Sequence, residues 1–97
     1  MNKYICDNNL LTCVLSGKID TLNCSVLENE ITENMKENIT SVVFDMQDVD
    51  YISSTFLRIV IKMVKSLSVE NFVILNVQPS VLKVFKIANL TEIIKIE

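Results

Sequence analysis

The beginning of the chain alternates between apolar and polar stretches in a way that predicts a β-hairpin. Residues 3–6 and 10–15 are short, apolar and β-prone, and Asp7-Asn8-Asn9 separates them. Asparagine tolerates the positive φ angles of tight turns, which favours a hairpin at this point. The only glycine, Gly17, follows the second run, and we expect it to serve backbone geometry rather than a ligand.

Three later stretches carry apolar residues at the spacing of one helix face. The first follows Asp20 or Thr21, either of which can cap it, and extends to about Glu37. The second begins at Ser54, and the third begins at Pro79, whose missing N–H costs nothing in a first turn. Their predicted core positions are Cys24, Leu27, Ile31 and Met35, then Leu57, Val60, Ile61, Val64 and Leu67, then Val81, Leu82, Phe85 and Ala88.

Continuous apolar runs between these helices predict further strands. They cover residues 39–46 and 72–77, and residues 93–96 predict a last, edge strand. Asn89 is expected to end the third helix in a left-handed conformation. The predicted order is ββαβαβαβ, an α/β fold in which helices pack against a mixed β-sheet, and we expect a single domain over residues 1–97.

Composition excludes several classes of function. The 97 residues carry a net charge of −3 with no basic block, which argues against nucleic acid as a partner. No apolar run approaches the roughly 20 residues of a membrane span, and the first residues lack a signal-peptide layout, so we expect a cytoplasmic protein without membrane insertion. The three cysteines form no C-x-x-C pair and are expected to be small core residues.

Catalytic and metal chemistry have little support in the sequence. Histidine is absent, which excludes a Ser-His-Asp triad and a Cys-His dyad. The carboxylates of residues 20, 45, 48 and 50 have no phosphate-cradling glycine loop beside them. We therefore expect neither an enzyme nor a metal or cofactor site.

The candidate site is the stretch from Tyr51 to Arg58, where three hydroxyl residues stand at the start of the second helix. A serine in this position is either an N-cap or a modification site. Asp45 lies near the carboxyl end of a predicted buried strand, the end at which sites gather in open α/β sheets. We expect Asp20 and Asp45 to lie near the same surface.

Residues 42–60, VVFDMQDVDYISSTFLRIV, resemble the signature of STAS domains, the family of bacterial anti-sigma factor antagonists. The family pattern is an apolar strand ending in Asp, a short loop, an aromatic and an aliphatic residue, then Asp-Ser-Ser/Ala-Gly-Leu and a helix. Residues 15–20, LSGKID, are similar to the family segment before its first helix. Residues 78–90, QPSVLKVFKIANL, are similar to its last helix.

The resemblance implies that Ser54 is the serine phosphorylated by a partner kinase, which is itself the anti-sigma factor, and that a protein phosphatase resets it. Phe56 replaces the usual glycine, and its ring could exclude the usual kinase or anchor a different partner. Arg58, the only arginine, follows Ser54 by one turn and could pair with a phosphate or with an acidic residue of a partner, or remain solvated. The predicted partner-binding residues are Asp20, Asp45, Ser53, Thr55, Phe56 and Arg58.

Two alternatives remain open. In the first, the chain is a non-phosphorylated scaffold or a transporter-associated STAS subunit that docks a partner constitutively through Phe56. In the second, it binds a nucleotide or another small ligand. The sequence predicts no oligomeric state.

Overall fold

The computed structural model describes residues 2–97 as five strands and three helices. A single 3-10 turn, Val69–Asn71, joins the second helix to the fourth strand. The strands are β1 Lys3–Asp7, β2 Leu10–Ile19, β3 Ser41–Ile52, β4 Phe72–Leu75 and β5 Lys95–Ile96. The helices are α1 Thr21–Asn34, α2 Ser54–Leu67 and α3 Pro79–Ile87. The element order ββαβαβαβ and the α/β class are as predicted.

The strands form one sheet in the order β1-β2-β3-β4-β5. β1 is antiparallel to β2, and every other neighbouring pair is parallel and connected through a helix. The predicted hairpin is confirmed, with Asn8 at a φ of 57° in its turn. Asn89 has a φ of 61°, which confirms the predicted left-handed residue after α3.

β2 and β3 continue past both of their neighbours. The first residue of β1, Lys3, lies opposite Val14 of β2, and the last residue of β4, Leu75, lies opposite Asp45 of β3. Beyond this row the pairing of β2 with β3 continues to their last residues, so residues 15–19 and 46–52 form a two-stranded projection. The sequence prediction that the strand ends at Met46 is wrong, because the polar residues that follow pair with β2 instead of forming a loop.

Gly17 lies within this projection, at a shift in the register between β2 and β3. Its φ of 81° belongs to the left-handed region that L side chains rarely adopt. A Cβ built at this position would have nothing within 4 Å. Backbone conformation therefore explains the glycine, as expected from the sequence.

The helices cover one face of the sheet. Ring contacts join Phe44 of β3 to Phe56 of α2, and Phe56 to Phe85 of α3. The strand residues on this face are fully buried, whereas those on the opposite face are half-buried. The covered set includes Leu11, Cys13, Leu15, Val42, Phe44, Met46, Phe72 and Ile74, and the open set includes Thr12, Val14, Val43, Val73 and Leu75.

The buried face of α2 differs from the predicted one. Its buried residues are Phe56, Ile59, Val60 and Met63. Of the predicted core strip only Val60 is buried, and Ile61 is 38% exposed. Leu57, Val64 and Leu67 are half-buried and pack against the core, so the predicted face is partly correct. The ring that fills the space between those of β3 and α3 belongs to Phe56, outside the predicted face.

Two smaller predictions also need correction. α1 ends at Asn34, three residues before the predicted Glu37, and the backbone N–H of Met35 closes its last turn. Cys13 and Cys24 are buried as expected, but Cys6 is exposed. Its side chain belongs to the edge strand β1, where less of the molecule covers it.

Candidate functional site

The N-termini of α1 and α2 lie side by side at the end of the β2–β3 projection. The hydroxyl oxygens of Thr21 and Thr55, one from each helix, are 3.4 Å apart. The backbone N–H of Ser53 donates to the carbonyl of Ile19 at 3.0 Å, which joins the two strand ends. We call the residues exposed or half-buried here, Asp20, Thr21, Ser54, Thr55 and Arg58, the helix-start surface.

Ser53 is the N-cap of α2. Its Oγ accepts a hydrogen bond from the Phe56 N–H at 3.3 Å, and its backbone is extended, as a cap requires. Its Oγ also lies 3.6 Å from the Cys24 Sγ, and the residue is only 7% exposed. Ser53, which the sequence analysis predicts to bind a partner, thus has a buried side chain that holds the helix start.

Ser54 is the first residue of α2, and it is exposed. Phe56 and Leu57 are the first residues whose N–H groups donate to the Ser53 carbonyl, so the Ser54 and Thr55 N–H groups precede the helical ladder. The first turn of α2 contains no acidic residue. Within α2, the positive end of the helix dipole therefore acts on the Ser54 hydroxyl without an opposing carboxylate in the same turn.

Asp20 and Arg58 place opposite charges on this surface. Asp20 is the N-cap of α1, and its Oδ1 accepts from the Asn23 N–H at 2.9 Å. Arg58 is exposed one turn after Ser54, and within residues 2–97 it has no ion pair. Residues four apart lie on the same face of a helix, so Arg58 and Ser54 share one face of α2.

Asp45 does not belong to the helix-start surface. It lies opposite Val14, five residues before the end of β2 at Ile19, which corresponds to roughly 16 Å along the strand. Its Oδ1 accepts hydrogen bonds from the Asn76 side chain at 3.1 Å and from the Gln47 N–H at 3.2 Å. The expectation that Asp20 and Asp45 share a surface is wrong, because β3 runs on well past Asp45.

Phe56 contributes no side chain to the surface. Its ring is fully buried, with its centroid 6.0 Å from that of Phe44 and 6.5 Å from that of Phe85. The ring therefore does not reach the surface, where both predicted roles, excluding the usual kinase and anchoring a different partner, would place it. Where the family pattern has glycine, this chain has a residue with no exposed surface.

Two residues in the first turn of α1 were not predicted to be part of the site. Thr21 faces Thr55, and Leu22, in the first turn of α1, is 81% exposed. Leu22 does not belong to the apolar stripe of α1. Its position outside that stripe could have predicted that its side chain faces solvent. Thr21 was considered only as a cap.

A groove of about 470 Å³ continues from the helix-start surface between α1 and α2. An ion pair between Lys62 and Glu28, 2.8 Å long, crosses from one helix to the other. The lining residues are Glu28, Thr55, Arg58, Ile59, Ile61 and Lys62.

Within residues 2–97 no group of three or more Cys, Asp or Glu side chains is placed to hold a metal ion. None of the helices in that range has the length and apolar character needed to cross a membrane.

Comparison with known proteins identifies the family. The family model described as STAS domain matches residues 4–97. BtrV of Bordetella bronchiseptica, which is named as an anti-sigma factor antagonist, is 34% identical over 89 residues, covering 90% of this chain and 76% of BtrV. The chain belongs to the STAS domain family, in its anti-sigma factor antagonist group. The resemblance seen in the sequence is confirmed.

Solved structures share the fold of this STAS domain. An anti-sigma factor antagonist from Mycobacterium paratuberculosis is 18% identical with a TM-score of 0.86, covering 99% of this chain and 83% of that one. Unphosphorylated SpoIIAA is 17% identical with a TM-score of 0.82, covering 100% of this chain and 88% of SpoIIAA. The phosphorylated form of Bacillus SpoIIAA is 16% identical with a TM-score of 0.74, covering 100% of this chain and 91% of that one.

Proposed function

We propose that this STAS domain binds a serine-kinase anti-sigma factor through the helix-start surface, and that phosphorylation of Ser54 ends the binding. A protein phosphatase would restore the binding form. The observation that carries the proposal is the difference in environment between two adjacent serines. Ser53 is buried and caps α2, which leaves the exposed Ser54 hydroxyl free for modification.

A phosphate on Ser54 fits the fold. The modification adds about −1.5 to −2 charges at pH 7 and three strong acceptor oxygens. At the first position of α2 these oxygens meet N–H groups that have no partner in the helix, and the helix dipole favours the negative charge. The hydrogen bond that the Phe56 N–H donates to the Ser53 Oγ stays in place, so the domain can be modified without unfolding.

The same phosphate would change what a partner meets. Before modification, the helix-start surface contains one carboxylate, Asp20, and one guanidinium, Arg58. A phosphate dianion makes the net charge of this surface negative and repels an acidic or closely packed partner surface. Loss of affinity on phosphorylation follows from this change in charge.

The position of Phe56 supports access by a kinase. Because its ring is packed against Phe44 and Phe85, the substitution of glycine by phenylalanine adds no bulk beside Ser54. The relatives support the same assignment, since BtrV is named as an anti-sigma factor antagonist and SpoIIAA is known in phosphorylated and unphosphorylated forms.

The test uses the purified chain and a candidate serine-kinase anti-sigma factor from the same genome. We expect phosphopeptide mapping to find the phosphate on Ser54 after incubation with the kinase and ATP. In pull-downs, wild type and Ser54→Ala should capture the kinase, whereas Ser54→Asp should capture at least about tenfold less.

Ser80 provides a matched control. It is an exposed serine in the first turn of α3, a helix without a side-chain cap. Ser80→Ala and Ser80→Asp should bind and be phosphorylated like wild type. Equal capture by Ser54→Asp and wild type, together with an unmodified Ser54, would refute the proposed switch.

A further inference from the structure

β1 forms one edge of the sheet and pairs with β2 on one side only. Four of its five residues are exposed, including Ile5 at 53%. Its register with β2 is continuous over all five residues, so no bulge turns the edge away, and it contains no proline. β1 therefore lacks two of the devices by which proteins block strand addition.

The hairpin turn determines which backbone groups of β1 face outward. Asn8 and Asn9 form a two-residue turn, which makes Asp7 and Leu10 a hydrogen-bonded pair. Hydrogen-bonded and non-bonded pairs alternate along an antiparallel ladder. The N–H and C=O groups of Tyr4 and Cys6 consequently point away from β2, toward the open edge.

The exposed side chains of β1 are arranged symmetrically. Lys3, Ile5 and Asp7 lie on the open face of the sheet, since their partners Val14, Thr12 and Leu10 are only half-buried there. Lys3 and Asp7 are equally distant from Ile5 and opposite in charge. Neither has an ion pair with another described residue. A strand with this pattern is complementary to an antiparallel copy of itself.

We propose that β1 pairs antiparallel with β1 of a second copy of this chain, about a two-fold axis through Ile5. In this register Tyr4 of each copy lies opposite Cys6 of the other, and their outward backbone groups form four hydrogen bonds. The two Ile5 side chains meet in a non-hydrogen-bonded pair, where Cβ atoms approach most closely. Lys3 of each copy faces Asp7 of the other.

The covered face of the sheet is compatible with this pairing. The Tyr4 hydroxyl donates to Glu30 at 2.7 Å, and the Cys6 Sγ contacts the Asn34 carbonyl, so both side chains already lean toward α1 of their own copy. Because β1 has only five residues, the paired surface is small, and we expect a weak dimer whose population rises with protein concentration.

Charge reversal tests the register by sedimentation equilibrium of the intact chain up to about 1 mM. Lys3→Asp and Asp7→Lys each turn two attractions into two repulsions, and we expect either to raise the dimer dissociation constant about tenfold. The double variant Lys3→Asp/Asp7→Lys should restore dimerisation. Lys95→Asp makes the same charge change on the opposite edge strand, β5, and should dimerise like wild type.

Cross-linking provides a second measurement. Cys6 is the exposed cysteine of the three, and in the proposed register two copies of it stand diagonally across the pair, roughly 7–8 Å apart. A bismaleimide of that span should join wild-type and double-variant chains, join the single charge variants far less, and leave Cys6→Ser unlinked. A monomer at all concentrations, or a dimer indifferent to both single reversals, would overturn the proposal. Neither outcome depends on phosphorylation of Ser54.

Discussion

Two adjacent serines at the start of α2 have opposite environments. Ser53 is buried, accepts the Phe56 N–H and contacts Cys24, whereas Ser54 is exposed to solvent. The difference follows from helix geometry, because an N-cap side chain turns back over the helix end while the next side chain points outward. At this site one residue maintains structure and its neighbour is available for chemistry.

We expect this difference to appear in stability. Ser53→Ala removes the cap and leaves the Phe56 N–H without its side-chain acceptor, which should lower the free energy of unfolding by about 1 kcal/mol. Ser54→Ala should change it by no more than about 0.5 kcal/mol, because the hydroxyl is exposed. Urea denaturation of the two variants and wild type measures both values. A larger loss in Ser54→Ala than in Ser53→Ala would contradict the assigned cap.

The residues of the site were only partly predictable. The Ser-Ser-Thr run at a helix start can be read from the sequence, and so can the choice of Ser54 through the family resemblance. The burial of Ser53 and Phe56 cannot be read from the sequence, because it depends on residues distant in the chain. Cys24 precedes Ser53 by 29 residues, and Phe85 follows Phe56 by 29 residues. Asp45 was misplaced because its position depends on how far β3 extends.

At the scale of elements, α2 shows the limit of periodicity. Two apolar strips, one beginning at Phe56 and the other at Leu57, are both compatible with a helix, and the spacing does not say which one faces the sheet. The ring of Phe44 decides it, since it lies beneath Phe56. β3 shows the complementary limit, because its polar second half is a strand only by virtue of its pairing with β2.

The assignment of the α2 faces leads to a second stability prediction. Phe56→Ala leaves a cavity between Phe44 and Phe85 and should cost about 3–5 kcal/mol. Ile61→Ala lies on the partly exposed strip and should cost about 1 kcal/mol or less. Equilibrium unfolding in urea gives both values. Similar losses in the two variants would mean that α2 is rotated relative to the sheet.

The whole molecule is a two-layer structure in which all three helices lie on one face of the sheet. Cys13 lies on the covered face, and burial raises the pKa of its thiol to about 12. Tyr4 lies opposite Cys13 on β1, and burial, followed by its hydrogen bond to Glu30, raises the pKa of its hydroxyl above its ordinary value. Both groups hold their protons more tightly in the folded chain than in the unfolded chain.

This difference predicts a loss of stability in alkali. As the pH rises above 9.0, the unfolded chain releases the Cys13 proton while the folded chain keeps it. Through this thiol alone, the free energy of unfolding should then fall by up to about 1.4 kcal/mol per pH unit, until the pH reaches the folded pKa. Urea titrations under reducing conditions between pH 8 and 11 measure the slope. Cys13→Ala should make the slope shallower, and an unchanged slope in that variant would exclude the thiol as one of its sources.

The two-stranded projection separates the helix-start surface from the edge of the sheet. The pairing of β1 with β2 extends only as far as Val14 of β2. β1 therefore does not reach the residues that support the N-termini of α1 and α2. Two copies joined along β1 would therefore each keep a free helix-start surface, and the dimer would be bivalent. A partner with two binding sites of matching spacing would hold such a dimer by avidity, so modification of one copy would lower the valency of the complex before it abolished binding.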